Sequence, residues 1–289
     1  MVVTILDVAI GGIMLGGIYA LIAMGFSLQY GVARVLNIAH GEFIMLGAFI
    51  TWTLYTVLGI NPLLSLVIVG PAIFIIGFIL QRTLFTRLRT SSPSPGAYEA
   101  SSLLAAFGLL FVIQNVAILI WGADIRAYAY LSVPVNLGGA IFAANRLVAL
   151  LFAVVIGVVF YLFLARTRMG KAIRAAAQDA ATAGLMGINI NQVLAICFGL
   201  GALLAGVAGL LISMTFSFQP TMGLEYTIIA IIMVVLGGLG SIPGSFIGGF
   251  LLGLIGHIVT YFEPGLTLPS YYFIFTLLLL VRPTGILGK

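Results

Sequence analysis

Charged residues are scarce in this 289-residue chain. Only 7% of its residues are Asp, Glu, Lys or Arg, whereas 62% are hydrophobic, a balance far outside the range of soluble globular proteins. At roughly 20 residues for each spanning helix, the length allows about eight or nine membrane crossings and leaves no sizeable soluble domain. Long strands of alternating polarity are also missing, which argues against a membrane barrel. We therefore predict an all-α, polytopic transmembrane helical bundle of about eight spans, with residues 1–289 in one domain.

The chain also lacks the patterns that most enzymes and ATPases require. Its single cysteine, Cys197, excludes an intramolecular disulfide, and no Cys/His cluster has metal-ligand spacing. The Gly-Lys pairs at 170–171 and 288–289 are not followed by the Ser or Thr of a phosphate-binding loop. No serine lies in a G-x-S-x-G setting. We expect no catalytic residues, no metal site and no cofactor bound by this chain, so energy must come from a partner or an ion gradient.

Polar residues are present in a few interruptions, of which the longest runs from Arg166 to Asn189. It begins with four basic residues (Arg166, Arg168, Lys171 and Arg174) and continues into an alanine-rich run of high helix propensity. We predict a short cytoplasmic helix ended by Gly184 and Gly187, with small alanines offering an apolar docking surface. From charge alone, the segment is either a docking element or a loop that only orients two spans.

A second interruption, from Tyr30 to Ala48, holds Arg34, Asn37, His40 and Glu42 between two apolar spans. It is either a cytoplasmic turn or a broken or re-entrant segment that lines a water-accessible pathway. A similar polar break follows at 216–227. The pairing of 16–48 with 201–238 as two broken helices points, faintly, to a transport pathway.

The remaining boundaries follow from hydropathy and charge. The arginine-bearing, Ser/Pro-rich segment 82–100 is predicted to be a cytoplasmic loop, and 122–146 an outer loop with interfacial aromatic residues. The last span is expected to end at Arg282 and Lys289, with the C-terminus on the cytoplasmic side. The other spans lie at about 10–30, 43–58, 63–80, 102–121, 147–164, 193–214, 228–236 and 246–261.

Three motifs together resemble those of branched-chain amino acid permeases of the LivH/LivM type. GGIYALIAMG at 16–25 and NIAHGEFIMLGA at 37–48 are similar to the family's early motif, and RMGKAIRA at 168–175 to its cytoplasmic coupling loop. GLEYTIIAIIMVVLGGLGSIPGSFIGG at 223–249 resembles its late motif. The resemblance thus covers the beginning, middle and end of the chain.

This resemblance implies the permease subunit of an ABC importer in the bacterial inner membrane. Expected partners are a second homologous permease subunit, two ABC ATPase subunits that bind ATP and Mg, a periplasmic substrate-binding protein and the lipid bilayer. The net charge of +5 is assigned to membrane topology rather than to nucleic-acid binding. The cargo would be branched-chain or other neutral amino acids, or urea and short amides.

The candidate residues fall into two groups. Those expected along the substrate pathway are Asn37, His40, Gly41, Glu42, Gly223 and Glu225. Those expected in coupling to the ATPase, within the cytoplasmic coupling segment 166–189, are Arg168, Gly170, Lys171, Arg174, Ala176, Asp179 and Gly184. Two alternatives stay open: an ion-coupled secondary transporter in which Glu42, Glu225 or His257 carries protons or sodium, and a membrane scaffold without a pathway.

Overall fold

Helices dominate the computed structural model of this chain, which describes residues 2–282 and 285–286. Within those residues, eight helices are long and apolar enough to cross a membrane, which confirms the predicted polytopic helical bundle. A further apolar helix, Met222–Gly237, is shorter than these spans. The predicted position of Lys289 lies outside the described residues.

The helices and strands are numbered here in chain order. They are α1 (Val2–Ala33), α2 (His40–Leu58), α3 (Leu66–Leu80), α4 (Thr86–Ser91), α5 (Pro95–Trp121), β1 (Pro134–Leu137), β2 (Ala140–Ala143), α6 (Ala144–Arg166), α7 (Arg168–Gln178), α8 (Ala180–Leu185), α9 (Ile190–Thr215), α10 (Met222–Gly237), α11 (Ile242–Phe262) and α12 (Thr267–Val281). A π-helical segment, Gln81–Phe85, joins α3 to α4, and a 3-10 turn, Pro264–Leu266, precedes α12.

Glycines set the distance between the antiparallel helices α1 and α11. A Cβ atom at Gly249 would lie 2.5 Å from the Cα of Ala20, and one at Gly12 would lie 2.8 Å from the Cα of Leu254. Such close backbone approach is how helices pack in lipid, where water supplies no hydrophobic driving force between them. Larger side chains at these positions would therefore separate the two helices.

Two breaks interrupt the helices of the bundle. Arg34 ends α1 with a left-handed backbone (φ 52°), and the largely buried residues 35–39 run back along α1. As a result α2 begins beside Ile22, whose carbonyl oxygen lies 3.3 Å from His40 Nε2. The second break, residues 216–221, separates α9 from α10, and Phe218 pairs there with Arg126 in an antiparallel β-bridge.

Basic residues gather at one end of the bundle, which we call the basic end. It contains the end of α1, the segment 166–189 and the turn 238–241. The chain returns to this end after α12, because Ile286 N donates to Leu236 O at 2.9 Å. Its basic residues are Arg34, Arg82, Arg87, Arg89, Arg166, Arg168, Lys171, Arg174 and Arg282, whereas Arg126 and Arg146 lie toward the opposite end.

The segment 82–100, predicted as a loop, is almost wholly helical. The helix of α3 continues through the π-helical segment and α4, and α5 already begins at Pro95, so only residues 92–94 are non-helical. Exposed arginines are compatible with a helix that extends beyond the apolar core. The Ser/Pro tract marks a helix start, because Ser94 Oγ accepts from Ala97 N at 3.2 Å and proline suits the first helical position.

The outer loop contains a short hairpin that hydropathy did not predict. Strands β1 and β2 pair in antiparallel register, with Pro134 opposite Ala143. Gly138 and Gly139 join them with φ values of 63° and 99°. A Gly-Gly pair that takes positive φ is the residue choice such a two-residue turn requires, and this was the available sequence signal.

We expect Gly249→Ala to lower the midpoint of thermal unfolding, because the added methyl group enters the α1 backbone. The cost of such overpacking is about 1–3 kcal/mol. The matched control is Gly108→Ala in α5, where nothing in the described structure lies within 4 Å of an added Cβ. Thermal unfolding of the purified protein in detergent measures both, and equal midpoints for the two variants would contradict this packing.

Candidate functional site

A buried polar cluster connects the first helix break to α1 and α9. Asn37 Nδ2 donates to Gln29 Oε1 at 3.2 Å, and Gln29 Nε2 donates to Phe198 O at 3.1 Å. His40 Nδ1 lies 3.2 Å from the same Gln29 oxygen, while its Nε2 faces the carbonyl of Ile22. A neutral imidazole donates from only one nitrogen, so it satisfies one of these two oxygens. The cluster fixes the break against α1.

Glu42 occupies the first turn of α2 and is only 1% exposed. Its carboxylate contacts Gly223 in the first turn of α10, where a Cβ atom would overlap it. Glu42 Oε2 has no hydrogen-bond partner within the described part of the chain. The N-termini of α2 and α10 carry partial positive charge that favours a carboxylate here. A buried acid without a cationic partner is costly, which makes it a candidate for function.

Thr227 ties the two broken-helix regions together. Its Oγ1 accepts from Gly41 N at 2.8 Å and donates to Ile38 O at 2.8 Å. Gly41 also lies directly against the Gly223 carbonyl, with no room for a Cβ atom. The structure therefore brings five of the six predicted pathway residues together at the start of α2. Asn37 and His40 belong to the polar cluster around Gln29, and Gly41 and Glu42 contact Gly223 of α10.

The sixth predicted residue, Glu225, is exposed and lies on a different face of α10. It directly precedes Tyr226, which lies near Tyr19 and Tyr271. Tyr19 and Tyr271 pack edge to face with ring centroids 6.4 Å apart.

These three tyrosines line a cavity of about 260 Å³, which we call the tyrosine cavity. It lies toward the end of the bundle opposite the basic end, between α1, α6, α10, α11 and α12. Other polar side chains in its lining include those of Arg146, His257 and Thr260, and its apolar wall includes Met14, Leu15 and Ile18. One of its lining residues, Tyr226, lies three residues after Gly223, the residue of α10 that contacts Glu42.

Arg146 separates the tyrosine cavity from a more open one. Arg146, Thr215 and Phe216 line both this cavity and a neighbouring space of about 460 Å³ under the outer loop. The guanidinium carbon of Arg146 lies 5.7 Å from the centroid of the Phe216 ring, a cation–π distance. No carboxylate lies within 4 Å of this guanidinium in the described structure.

The segment 166–189 folds back against the end of α6. Thr167 caps α7 by accepting from Gly170 N at 3.0 Å, and Gly170 packs on the Leu164 carbonyl, which also accepts from the Arg174 guanidinium. Gly170, Ile173 and Ala176 form the buried face of α7. The small residues expected to form a docking surface therefore pack partly inward, whereas Arg168, Lys171 and Arg174 are exposed.

Asp179 divides the predicted single helix into α7 and α8. Its Oδ1 accepts from Ala181 N and Thr182 N at 2.9 and 3.1 Å, which caps α8. The hydroxyl of Thr182 and these N–H groups hold the pKa of Asp179 below its usual value. Gly184, which follows in α8, is exposed. The next two side chains are large and apolar, and they are also exposed, Leu185 to 89% and Met186 to 80%.

Comparison with known proteins decides the family. A family model described as branched-chain amino acid transport system / permease component matches residues 8–282. The chain belongs to this family. It is 34% identical to the high-affinity branched-chain amino acid transport system permease protein BraD of Pseudomonas aeruginosa, over 97% of this chain and 94% of BraD.

Two further relatives support the assignment. The high-affinity branched-chain amino acid transport system permease protein LivH of Escherichia coli (strain K12) is 34% identical, over 96% of this chain and 94% of its own length. A probable LivH of Methanocaldococcus jannaschii is 27% identical, over 87% of this chain and 80% of its own length. The resemblance inferred from the three motifs is confirmed.

Sequence reasoning missed two features of this permease. Arg146 was taken only as the end of the outer loop, and its proximity to Phe216 depends on a contact between distant parts of the chain. Leu185 and Met186 lie between Gly184 and Gly187, the two residues expected to end the helix, and two large apolar residues at a polar helix end were a usable signal. Among the described residues, no three His, Cys, Asp or Glu side chains group as a metal site.

We expect Gln29→Leu to destabilise this permease by about 1–3 kcal/mol, because it leaves Asn37 and the Phe198 carbonyl buried without their partner. Gln114→Leu is the matched control, since that half-buried side chain on α5 makes no hydrogen bond in the described structure. Thermal unfolding in detergent compares the two variants. The interpretation of the cluster fails if Gln29→Leu unfolds at the same temperature as Gln114→Leu.

Proposed function

We propose that this permease is the membrane subunit of an ABC importer for branched-chain or other neutral amino acids. Residues 1–289 would form one permease domain that pairs with a second homologous permease subunit. Two ABC ATPase subunits would bind ATP and Mg, and a periplasmic binding protein would deliver substrate. The observation that carries the proposal is near full-length similarity to permeases named for branched-chain amino acid transport.

The distribution of charge supports an orientation in the bacterial inner membrane. Nine described basic residues lie at the basic end and two toward the opposite end. Because Lys and Arg accumulate in cytoplasmic loops, the basic end faces the cytoplasm in this proposal. The tyrosine cavity then faces the periplasm, where a binding protein would release its amino acid.

Coupling to the ATPase is assigned to the exposed surface of the segment 166–189. The predicted coupling residues form two sets: Gly170 and Ala176 lie on the buried face of α7, and the exposed Arg168, Lys171, Asp179 and Gly184 would face the partner. Arg174 would act in coupling by positioning α7 through its hydrogen bond to the Leu164 carbonyl. Leu185 and Met186 add exposed apolar area, whose removal from water at an interface is favourable. Closure of the ATPase pair would move this segment and, through α6 and α9, the helix breaks.

The substrate pathway is assigned to Asn37, His40, Gly41, Glu42, Gly223 and Glu225, together with the tyrosine cavity. Arg146 would bind the carboxylate of an amino acid, because guanidinium and carboxylate pair with bidentate geometry. The tyrosine rings and Glu225 suit the ammonium group, and Met14, Leu15 and Ile18 suit an apolar side chain. Transport then requires that inward- and outward-facing states differ in affinity for substrate.

The proposal is tested by uptake into proteoliposomes that contain both permeases, the ATPases and the binding protein. We expect accumulation of leucine or valine that requires ATP inside the vesicle. Glutamate and urea complete the substrate panel, and ATP-dependent uptake of urea alone would reassign the cargo. Uptake that ignores ATP and stops when an ion gradient collapses would instead identify a secondary transporter.

Glu42→Gln and Glu225→Gln are each expected to lower ATP-dependent uptake by about tenfold, because charged hydrogen-bonding groups contribute about 1.5–3 kcal/mol. Glu99→Gln, an exposed acid on α5, is the control. Binding of the ATPase subunits, measured on the same preparations, separates a pathway defect from failed assembly. Normal uptake and normal assembly in both variants would remove these acids from the pathway.

A double variant, Leu185→Ala with Met186→Ala, is expected to weaken binding of the ATPase subunits by about tenfold, since the two truncations remove apolar area whose burial contributes roughly 25 cal/mol per Å². Thr90→Ala, exposed at the same end of the bundle on α4, is the control. Affinity is measured by titrating labelled ATPase onto purified permease. Unchanged affinity in the double variant would exclude Leu185 and Met186 from the interface.

A further inference from the structure

Two adjoining cavities open at the basic end between α1, α6, α7 and α11. The first, of about 470 Å³, we call the head cavity. Its polar lining includes Ser27, Tyr161, Arg174, Gln178 and Ser241. The second, of about 250 Å³, we call the apolar groove, and its lining is almost entirely hydrocarbon.

The two spaces are continuous and differ in depth within the bundle. Tyr161 and Pro243 line both of them. Three helices, α1, α6 and α11, contribute residues to both spaces. On each of them, the groove residue lies about one helical turn, or roughly 5 Å, farther from the basic end than the head-cavity residue. The pairs, groove residue first, are Met24 and Ser27 on α1, Gly157 and Tyr161 on α6, and Phe246 and Ile242 on α11.

The head cavity suits an anionic group. Arg174 gives one of its five N–H donors to the Leu164 carbonyl, which leaves others available to a ligand. The cavity lining contains no Asp or Glu, and the nearby Asp179 is held by Thr182. Ser27 Oγ is fully buried in the cavity wall and has no hydrogen-bond partner in the described structure.

The apolar groove suits an acyl chain. Its rim residues Val158 and Ile247 are 47% and 44% exposed, so the groove opens at the outer surface of the bundle. Its depth below the head cavity matches the order of groups in a phospholipid, with the headgroup at the interface and hydrocarbon beneath it. Clusters of basic residues at the cytoplasmic surface attract anionic lipids by about 1 kcal/mol for each Lys or Arg.

We propose that the head cavity and the apolar groove together bind one anionic phospholipid. Its phosphate lies against Arg174, within reach of Ser27 and Ser241, and one acyl chain fills the groove beside Gly157. Because Ile173 and Ala177 of α7 line the same head cavity, the bound lipid bridges the segment 166–189 to α1 and α11. The position of that segment thus depends on lipid, whatever substrate the transporter carries.

The experiment is native mass spectrometry of the assembled, delipidated transporter, titrated with phosphatidylglycerol or phosphatidylcholine. We expect preferential binding of phosphatidylglycerol. Arg174→Gln should weaken that binding by about fivefold, whereas Arg87→Gln, an exposed arginine on α4 outside both cavities, should leave it unchanged.

A second pair of variants tests the groove. Val158→Trp should fill it and reduce phosphatidylglycerol binding, whereas Val155→Trp, a 50% exposed position on the same helix outside the groove, should not. Size-exclusion profiles show that each variant is folded and assembled. Equal binding of the two lipids would overturn the proposal. The proposal would also be overturned if the two variants of either pair changed phosphatidylglycerol binding equally. It would likewise be overturned if the assembled transporter bound no lipid because a partner subunit covers the site.

Discussion

Everything in this bundle depends on one constraint, which is that non-helical backbone inside a membrane must be covered and hydrogen-bonded by protein. The breaks at 34–39 and 216–221 both interrupt helices within the bundle. Their backbone groups find partners: Ala39 N donates to the Asn37 side chain at 3.1 Å, Gly41 N donates to Thr227, and Phe218 exchanges both hydrogen bonds with Arg126. The first break is thus largely buried among the helices, whereas the second lies under the outer loop, with Phe218 buried and Thr221 exposed.

Glycine makes that enclosure possible. Gly47 of α2 lies directly on the backbone of Gly206 in α9, and Gly41 lies on Gly223, with no space for a Cβ atom at either contact. Helices that approach this closely bring the first turns of α2 and α10 together, and with them the carboxylate of Glu42. The polar centre is thus a consequence of how the broken helices pack, and the tyrosine cavity reaches it through Tyr226.

Hydropathy predicted the spans well because lipid imposes the same requirement on every crossing helix. Both breaks were also visible as polar interruptions with a Glu. Charge was a poorer guide to helix ends: Arg82 to Arg89 indicated a loop, but a helix that leaves the hydrocarbon region tolerates arginine. Two features depend on packing between distant segments: the choice of the buried face of α7 and the contact of Arg146 with Phe216. A single sequence does not reveal such contacts, so it could not specify either feature.

The most direct test of the account is whether the break before α10 changes its exposure during the ATP cycle. A cysteine replaces Thr221, an exposed residue at the end of that break, in a chain whose single native cysteine is buried. Labelling by a membrane-impermeant maleimide from outside is measured in proteoliposomes, without nucleotide and with ATP trapped on hydrolysis-deficient ATPases. The account predicts different labelling rates in the two states, while a cysteine at the exposed outer residue Leu266 labels equally in both. Equal rates at position 221 in both states would contradict it.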